Sequence, residues 1–197
     1  MPAASNVLGW IHDGVRATLV EAHPKYVRQL EEYFLDRPNV TIISKAVCDK
    51  AGKVKLYNRN ASSFVGLEGS SPAMVNDRYQ PSDADAISVE AVTFDAIDDG
   101  TIDLLSVDIE GGEWFVIKHM ISRPAVVSVE THGKRYLNSH LKEILGFFND
   151  AGYDIWFRDK SDTVFIQRSL FPITFAERVQ RLLFELWLWG RYGVSVK

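Results

Sequence analysis

The chain predicts an α/β fold with a largely parallel sheet, and three features carry that prediction. Short apolar runs alternate with segments of helical periodicity, three of those runs end in an acidic residue, and the series closes on what reads as an antiparallel hairpin. Helices on both faces of such a sheet make a three-layer arrangement, with the antiparallel strand near one edge. At 197 residues, with 46% apolar and 24% charged content, the chain suits one well-packed domain.

Ala17 to Val20 is a short apolar strand ending at Glu21, and Pro24 opens a helix whose face is marked by Tyr26, Val27, Leu30, Tyr33 and Phe34. Asp36-Arg37-Pro38 stops it, and Val40 to Val47 follows as a second buried strand. Strand, helix, strand with a right-handed crossover gives a parallel pair. Lys53 to Tyr57 and Ile87 to Ala91 alternate in polarity and read as exposed or edge strands. Between them, Asn58 to Ala86 is rich in Ser, Asp, Asn and Gly, and its length makes it the candidate lid or substrate loop.

The central stretch is Ile102 to Gly112, Ile-Asp-Leu-Leu-Ser-Val-Asp-Ile-Glu-Gly-Gly. It reads as a strand buried on both faces that ends on Asp108, followed by a turn carrying Glu110, Gly111 and Gly112 and a helix from Glu113 to Met120. Ala125 to Glu130 repeats the theme, with Thr131, His132 and Gly133 behind it. Leu141, Ile144, Leu145 and Phe148 then mark an amphipathic helix, with Ser139 as N-cap and Gly152 as its end. Tyr153 to Arg158 and Thr163 to Gln167 flank the turn of the closing hairpin.

Ligands of open α/β sheets bind at the carboxyl ends of the strands. Glu21, Asp108 and Glu130 occupy such ends, so the predicted cleft offers a carboxylate for a ribose diol, and a carboxylate with the His132 imidazole for proton transfer. Each also has a plainer role: Glu21, Asp108 and Glu110 beside helix starts, Glu130 in an ion pair, His132 as a bonded loop residue. No tight ligand spacing such as His-x-x-x-His favours a metal-dependent hydrolase, so no metal site is expected. Cys48 is the only cysteine, which excludes an internal disulfide and a cysteine-based metal centre. The net charge of -4 argues against a nucleic-acid partner. The amino terminus lacks the pattern of a signal peptide and no apolar run reaches spanning length, so the expected location is cytoplasmic.

Val20-Glu21-Ala22-His23-Pro24, Asn39-Val40 through Ala46-Val47-Cys48-Asp49 with Gly52, Thr93-Phe94-Asp95, and Asp103 through Glu113 resemble the FkbM family of methyltransferases. Arg123-Pro124-Ala125-Val126-Val127 and Glu130 continue the likeness, which covers roughly Ala17 to Gln167, and the Asp-Ile-Glu-Gly block is its most specific part. The resemblance implies a Rossmann-like three-layer methyltransferase sandwich that binds S-adenosylmethionine and methylates a hydroxyl of a sugar or natural product. It further implies that Glu21 holds the ribose hydroxyls, that Ala46, Val47 and Cys48 lie along the adenine, and that Asp108 faces the methionine end. His132 is the preferred general base and Asp108 the second, with Glu130 beside them. Family members carry a strand and a glycine-rich turn, Asp-x-Gly-Ala-Asn-x-Gly, before the strand that ends on the ribose carboxylate. Here Met1 to Arg16 hold only Gly9 and Gly14, so the fold is expected to be shortened at this end. Asn6 to Ile11 is then a remnant strand, and Gly9 the candidate for close approach to the cofactor. A noncatalytic homologue that keeps the sheet as a binding or assembly module is the alternative, and it predicts a space where that strand would lie.

The methyltransferase-like domain is placed at 1–168 and a separate amphipathic helix at 169–197. Ala176, Val179, Leu182, Leu183, Leu186 and Trp189 trace one side of that helix, widened by Phe171, Phe175, Phe184 and Trp187. Such a face packs on the domain, pairs with a second copy in a homodimer, or makes a peripheral membrane contact.

Overall fold

The computed structural model describes residues 7–57, 63–66, 71–133 and 135–192. The architecture is mixed α/β. Among the described residues the strands pair in four separate sheets, three of the pairings parallel and five antiparallel, in place of the one largely parallel sheet expected.

The chain opens with α1 (Leu8–His12), so the expected remnant strand is a helix. Ile11 is fully buried there against Leu30 and Phe34, an anchor that one turn of helix supplies without a ladder partner. β1 (Ala17–Val20) and β2 (Val40–Ile43) form a parallel pair joined by α2 (Pro24–Tyr33). Pro24 sits in the first turn of α2 and the His23 ring caps it, Nδ1 accepting from the Lys25 amide at 3.1 Å. The single strand expected over Val40 to Val47 breaks at the polar pair Ser44-Lys45. Beyond the break, β3 (Ala46–Val47) crosses to another sheet and pairs with β6 (Ala86–Val92).

That second sheet runs β3, β6, β4 (Gly52–Tyr57), β5 (Phe64–Val65). β6 is therefore interior in the strand order: β4 pairs with it from Ala86 to Ala91 and β3 with its last two residues, while its alternating polarity reflects one exposed face. The stretch expected as a loop carries β5, α3 (Pro72–Asn76) and a 3₁₀ turn at Asp83–Asp85, while 58–62 and 67–70 lie outside the described residues.

β7 (Leu104–Val107), β8 (Val126–Glu130), β11 (Tyr153–Arg158) and β12 (Asp162–Gln167) form the third sheet in the order β11, β12, β8, β7. The hairpin is present as expected, but β7 ends this sheet instead of lying at its centre, and Leu104 is 41% exposed. α4 (Glu113–Ile117) and α5 (Leu141–Asp150) cover the sheet, with Val107, Val127, Val129 and Phe165 packing against Val116, Ile117, Ile144 and Phe148. The residue flanking α5 at its start is His140, not Ser139, and Gly152 follows its end at φ +82°, a conformation that favours glycine. The small ladder of β9 (His132–Gly133) and β10 (Tyr136–Leu137) makes the fourth sheet. α6 (Phe175–Tyr192) lies along β11. No described helix is long and apolar enough to cross a membrane.

Candidate functional site

Among the described residues β1 pairs only with β2, and β7 only with β8. Their unpartnered edges face one cavity of about 1160 Å³, lined along Ala17–Glu21 on one side and Ile102–Gly112 on the other. Ligand pockets commonly span roughly 300–1,000 Å³, so there is room for a nucleoside and more.

Glu21 directly follows β1, its amide still extending the ladder to the Ile43 carbonyl at 3.0 Å. Its Oε1 accepts from the His23 amide at 2.7 Å, which fixes the carboxylate in the turn before α2. Burial pushes the Glu21 carboxyl above its ordinary range, partly offset by that amide. Ala46, Val47 and Cys48 line the same cavity, held there by β3 and by the Cys48 amide donating to the Val92 carbonyl at 2.9 Å.

On the far side the chain leaves β7 at Asp108 and reverses through two residues with positive φ, Glu110 at 59° and Gly111 at 114°. Glycine suits the second; the non-glycine Glu110 costs about 1 kcal/mol or more unless neighbours fix the turn. Glu113 supplies that constraint. It is fully buried, one oxygen accepts from the Ile109 amide at 3.1 Å and the Gly111 amide at 3.0 Å, and the other accepts from Asn138 Nδ2 at 2.5 Å. Sequence reasoning assigned no role to Glu113 or Asn138. The available signal was an acidic residue directly behind a Gly-Gly turn, where free amides need an acceptor.

Asp108, Glu113 and Glu130 bring carboxylate oxygens within 4.8 Å of one another. Three acids at that separation do not all stay ionised near neutrality. Burial raises Asp108, and the charge of Asp162 adds to it, while a hydrogen bond from Glu130 opposes the rise. Burial, then repulsion from Asp108, drives the Glu130 carboxyl far above its usual range. Burial and mutual repulsion thus favour a proton on the pair, with Glu130 the more strongly raised of the two. Asp108 opens to solvent at the cavity although protein crowds it, which is why its hydration is reduced but not lost. As cation ligands the set is poor: Glu113 already has three donors, which leaves two carboxylates where a hard cation takes roughly six oxygens.

His132 and Gly9 stand apart from this gathering. His132 is 3% exposed and does not line the cavity. Its Nε2 lies 3.0 Å from the Asp159 carbonyl, which can only accept, so Nε2 carries the proton and Nδ1 accepts from Thr131 Oγ1 at 2.8 Å. Burial depresses its pKa, in keeping with a neutral ring. Gly9 lies in α1, where nothing is within 4 Å of its Cβ position, and its neighbours Trp10 and Ile11 reach the cavity instead. From the segment expected as a lid, Ser63 and Val65 contribute to the lining.

The arrangement is thus a long cavity with Glu21 and a small apolar wall at one side and Asp108 at the other, with Glu130 behind Asp108 and outside the lining. No curated protein and no solved structure matches the chain. The model of the methyltransferase FkbM domain family matches residues 4–155. That span covers more than half of the sequence and every residue gathered at the cavity, and the chain belongs to the FkbM methyltransferase family.

Proposed function

We propose that this chain is an S-adenosylmethionine-dependent O-methyltransferase acting on a hydroxyl of a sugar or natural product. The observation that carries the proposal is the convergence of Glu21 and Asp108, 87 positions apart in sequence (108 less 21), on one cavity. The reading takes the order β2, β1, cavity, β7, β8, β12, β11 as a Rossmann-like one with the cavity in place of a strand, although the strands themselves pair in separate sheets.

The residues suit the cofactor. Glu21 offers a desolvated carboxylate to a pair of vicinal hydroxyls, and a carboxylate-rich wall favours a ligand bearing cationic sulfur and ammonium groups. Ala46, Val47 and Cys48 give an apolar surface for a purine. The bound cofactor supplies a methyl group already activated by a positive sulfur. The chain's own part is to align an oxygen nucleophile and remove its proton. In this reading Asp108 accepts the proton, because it faces the cavity, and becomes neutral beside Glu130, which keeps its own. His132 acts structurally, its two nitrogens bonded to Thr131 and Asp159.

Calorimetric titration with S-adenosylhomocysteine tests the reading. Binding is expected for the unmodified chain, and Glu21→Ala should weaken it at least about tenfold, the worth of a charged hydrogen bond. Absence of heat and of any thermal shift refutes the proposal. That result favours the noncatalytic homologue, a reading supported by the cavity running the full length of β1 and β7, beyond what a nucleoside at the strand ends requires.

A further inference from the structure

We infer that α6 is a dimerisation helix that pairs with α6 of a second copy of this chain. Surface helices usually bury an apolar stripe and expose a charged one. α6 does the reverse. Three of its charged residues reach the domain: Arg181 Nη1 donates to the Ile155 carbonyl at 2.6 Å, Glu185 pairs with Arg158 at 2.8 Å, and Arg178 approaches Asp154 at 4.0 Å. Arg158 is itself 5% exposed, so this anchor sets the rotation of the helix and leaves the adjoining apolar side turned outward.

That outward side carries Phe175, Val179, Leu182, Leu186 and Trp189, exposed by 81, 39, 52, 55 and 59%. The steps between them are four, three, four and three, the spacing at which one helix presents a continuous seam to another. The five side chains of the seam together leave several hundred Å² of apolar surface to water, at the upper end of what a monomer ordinarily exposes and a sizeable part of the share each partner gives to a standard interface. The seam has no charged member, so two copies meet without like-charge repulsion and a two-fold axis makes the contact self-complementary. A lipid surface fits less well. Arg181, which would otherwise be free to meet anionic headgroups, is engaged with β11, and the chain carries a net charge of -4.

Sedimentation velocity on the full chain from 1 to 100 µM, with light scattering, tests the inference. The expected mass is twice 22.3 kDa, and Leu186→Glu should return the monomer with its melting temperature little changed, a dimer dissociation constant at least about 100-fold weaker. Crosslinking covers the case in which that variant misfolds. Cys48 is buried and is the only cysteine, so Leu186→Cys under mild oxidation should give a disulfide-linked dimer while the unmodified chain does not. A monomer across the whole range, or a monomer that floats with phosphatidylserine vesicles, overturns the inference.

Discussion

Replacing Glu113 with glutamine should change how stability depends on pH more than it changes stability at any one pH. Burial, against the pull of the Gly111 and Ile109 amides, raises the Glu113 carboxyl from 4.5 to about 7. A carboxyl whose folded value is raised binds its proton more tightly in the native state, so its contribution is most favourable below about 4.5 and is lost as pH rises towards and through 7. The gap between those values, at 1.36 kcal/mol per pH unit, comes to about 3 kcal/mol in full, of which about 2.5 kcal/mol falls between pH 5 and 8. Glutamine removes the titration. Its oxygen still serves the two amides, but its NH₂ meets Asn138 Nδ2, whose partner Oδ1 is held by the His140 amide at 2.8 Å; that mismatch costs about 1–2 kcal/mol at every pH. Urea unfolding of both proteins at half-unit steps from pH 5 to 8 gives two curves. Their difference should slope by about 2.5 kcal/mol in favour of the variant as pH rises. A difference constant to within about 0.5 kcal/mol across that range means that the three donors keep Glu113 ionised throughout, and the burial argument is wrong.

Two further outcomes follow from buried polar groups. Asp98, 2% exposed, accepts from the amides of Gly100 (2.9 Å), Ile121 (2.7 Å) and Ser122 (2.7 Å) and from the Ser122 hydroxyl, so Asp98→Ala strands several donors and should lower unfolding stability by about 3 kcal/mol, whereas Phe94 and Ile97 nearby stay packed. Cys48 is 1% exposed and burial pushes its thiol up to about 11, so at pH 8 about one part in a thousand is thiolate. Reaction with a coloured disulfide reagent should be slow in the native protein and immediate in denaturant; equal rates would remove Cys48 from the protected wall of the cavity.

What could be read from the sequence was whatever local pattern alone decides. Pro24 behind a histidine, the α2 stripe of Val27, Leu30 and Phe34, and Gly152 after α5 each specify a conformation within a few residues, and the structure forms them there. Pairing is not local. Alternation along Ala86–Val92 says that one face is wet and says nothing about its edges, so an interior strand looked like a border. The apolar run Val40 to Val47 looked continuous because apolar content outweighed Ser44 and Lys45, yet those two residues mark where the chain changes sheets. Five residues around Gly9 cannot distinguish a strand from a helical turn, and the burial of Ile11 against Leu30 settled it as a helix.

The candidate site divides on the same line. Glu21 and Asp108 were legible because a carboxylate behind a short apolar strand has one place to go, the strand's carboxyl end, whichever neighbours the strand acquires. His132 also follows such a strand, but its position depends on contacts from elsewhere: Thr131 is bonded to Thr163 at 2.6 Å, and the Asp159 carbonyl captures the other side of the ring. The amides of Thr131 and His132 both reach the Ser161 carbonyl, at 2.9 and 3.0 Å, so the hairpin turn draws this segment towards itself and away from β7. A residue two positions beyond a strand end is thus governed by the loop that meets it, whereas the first residue beyond is still governed by the strand. That difference of one or two residues separates Asp108, at the cavity, from His132, in the packed interior.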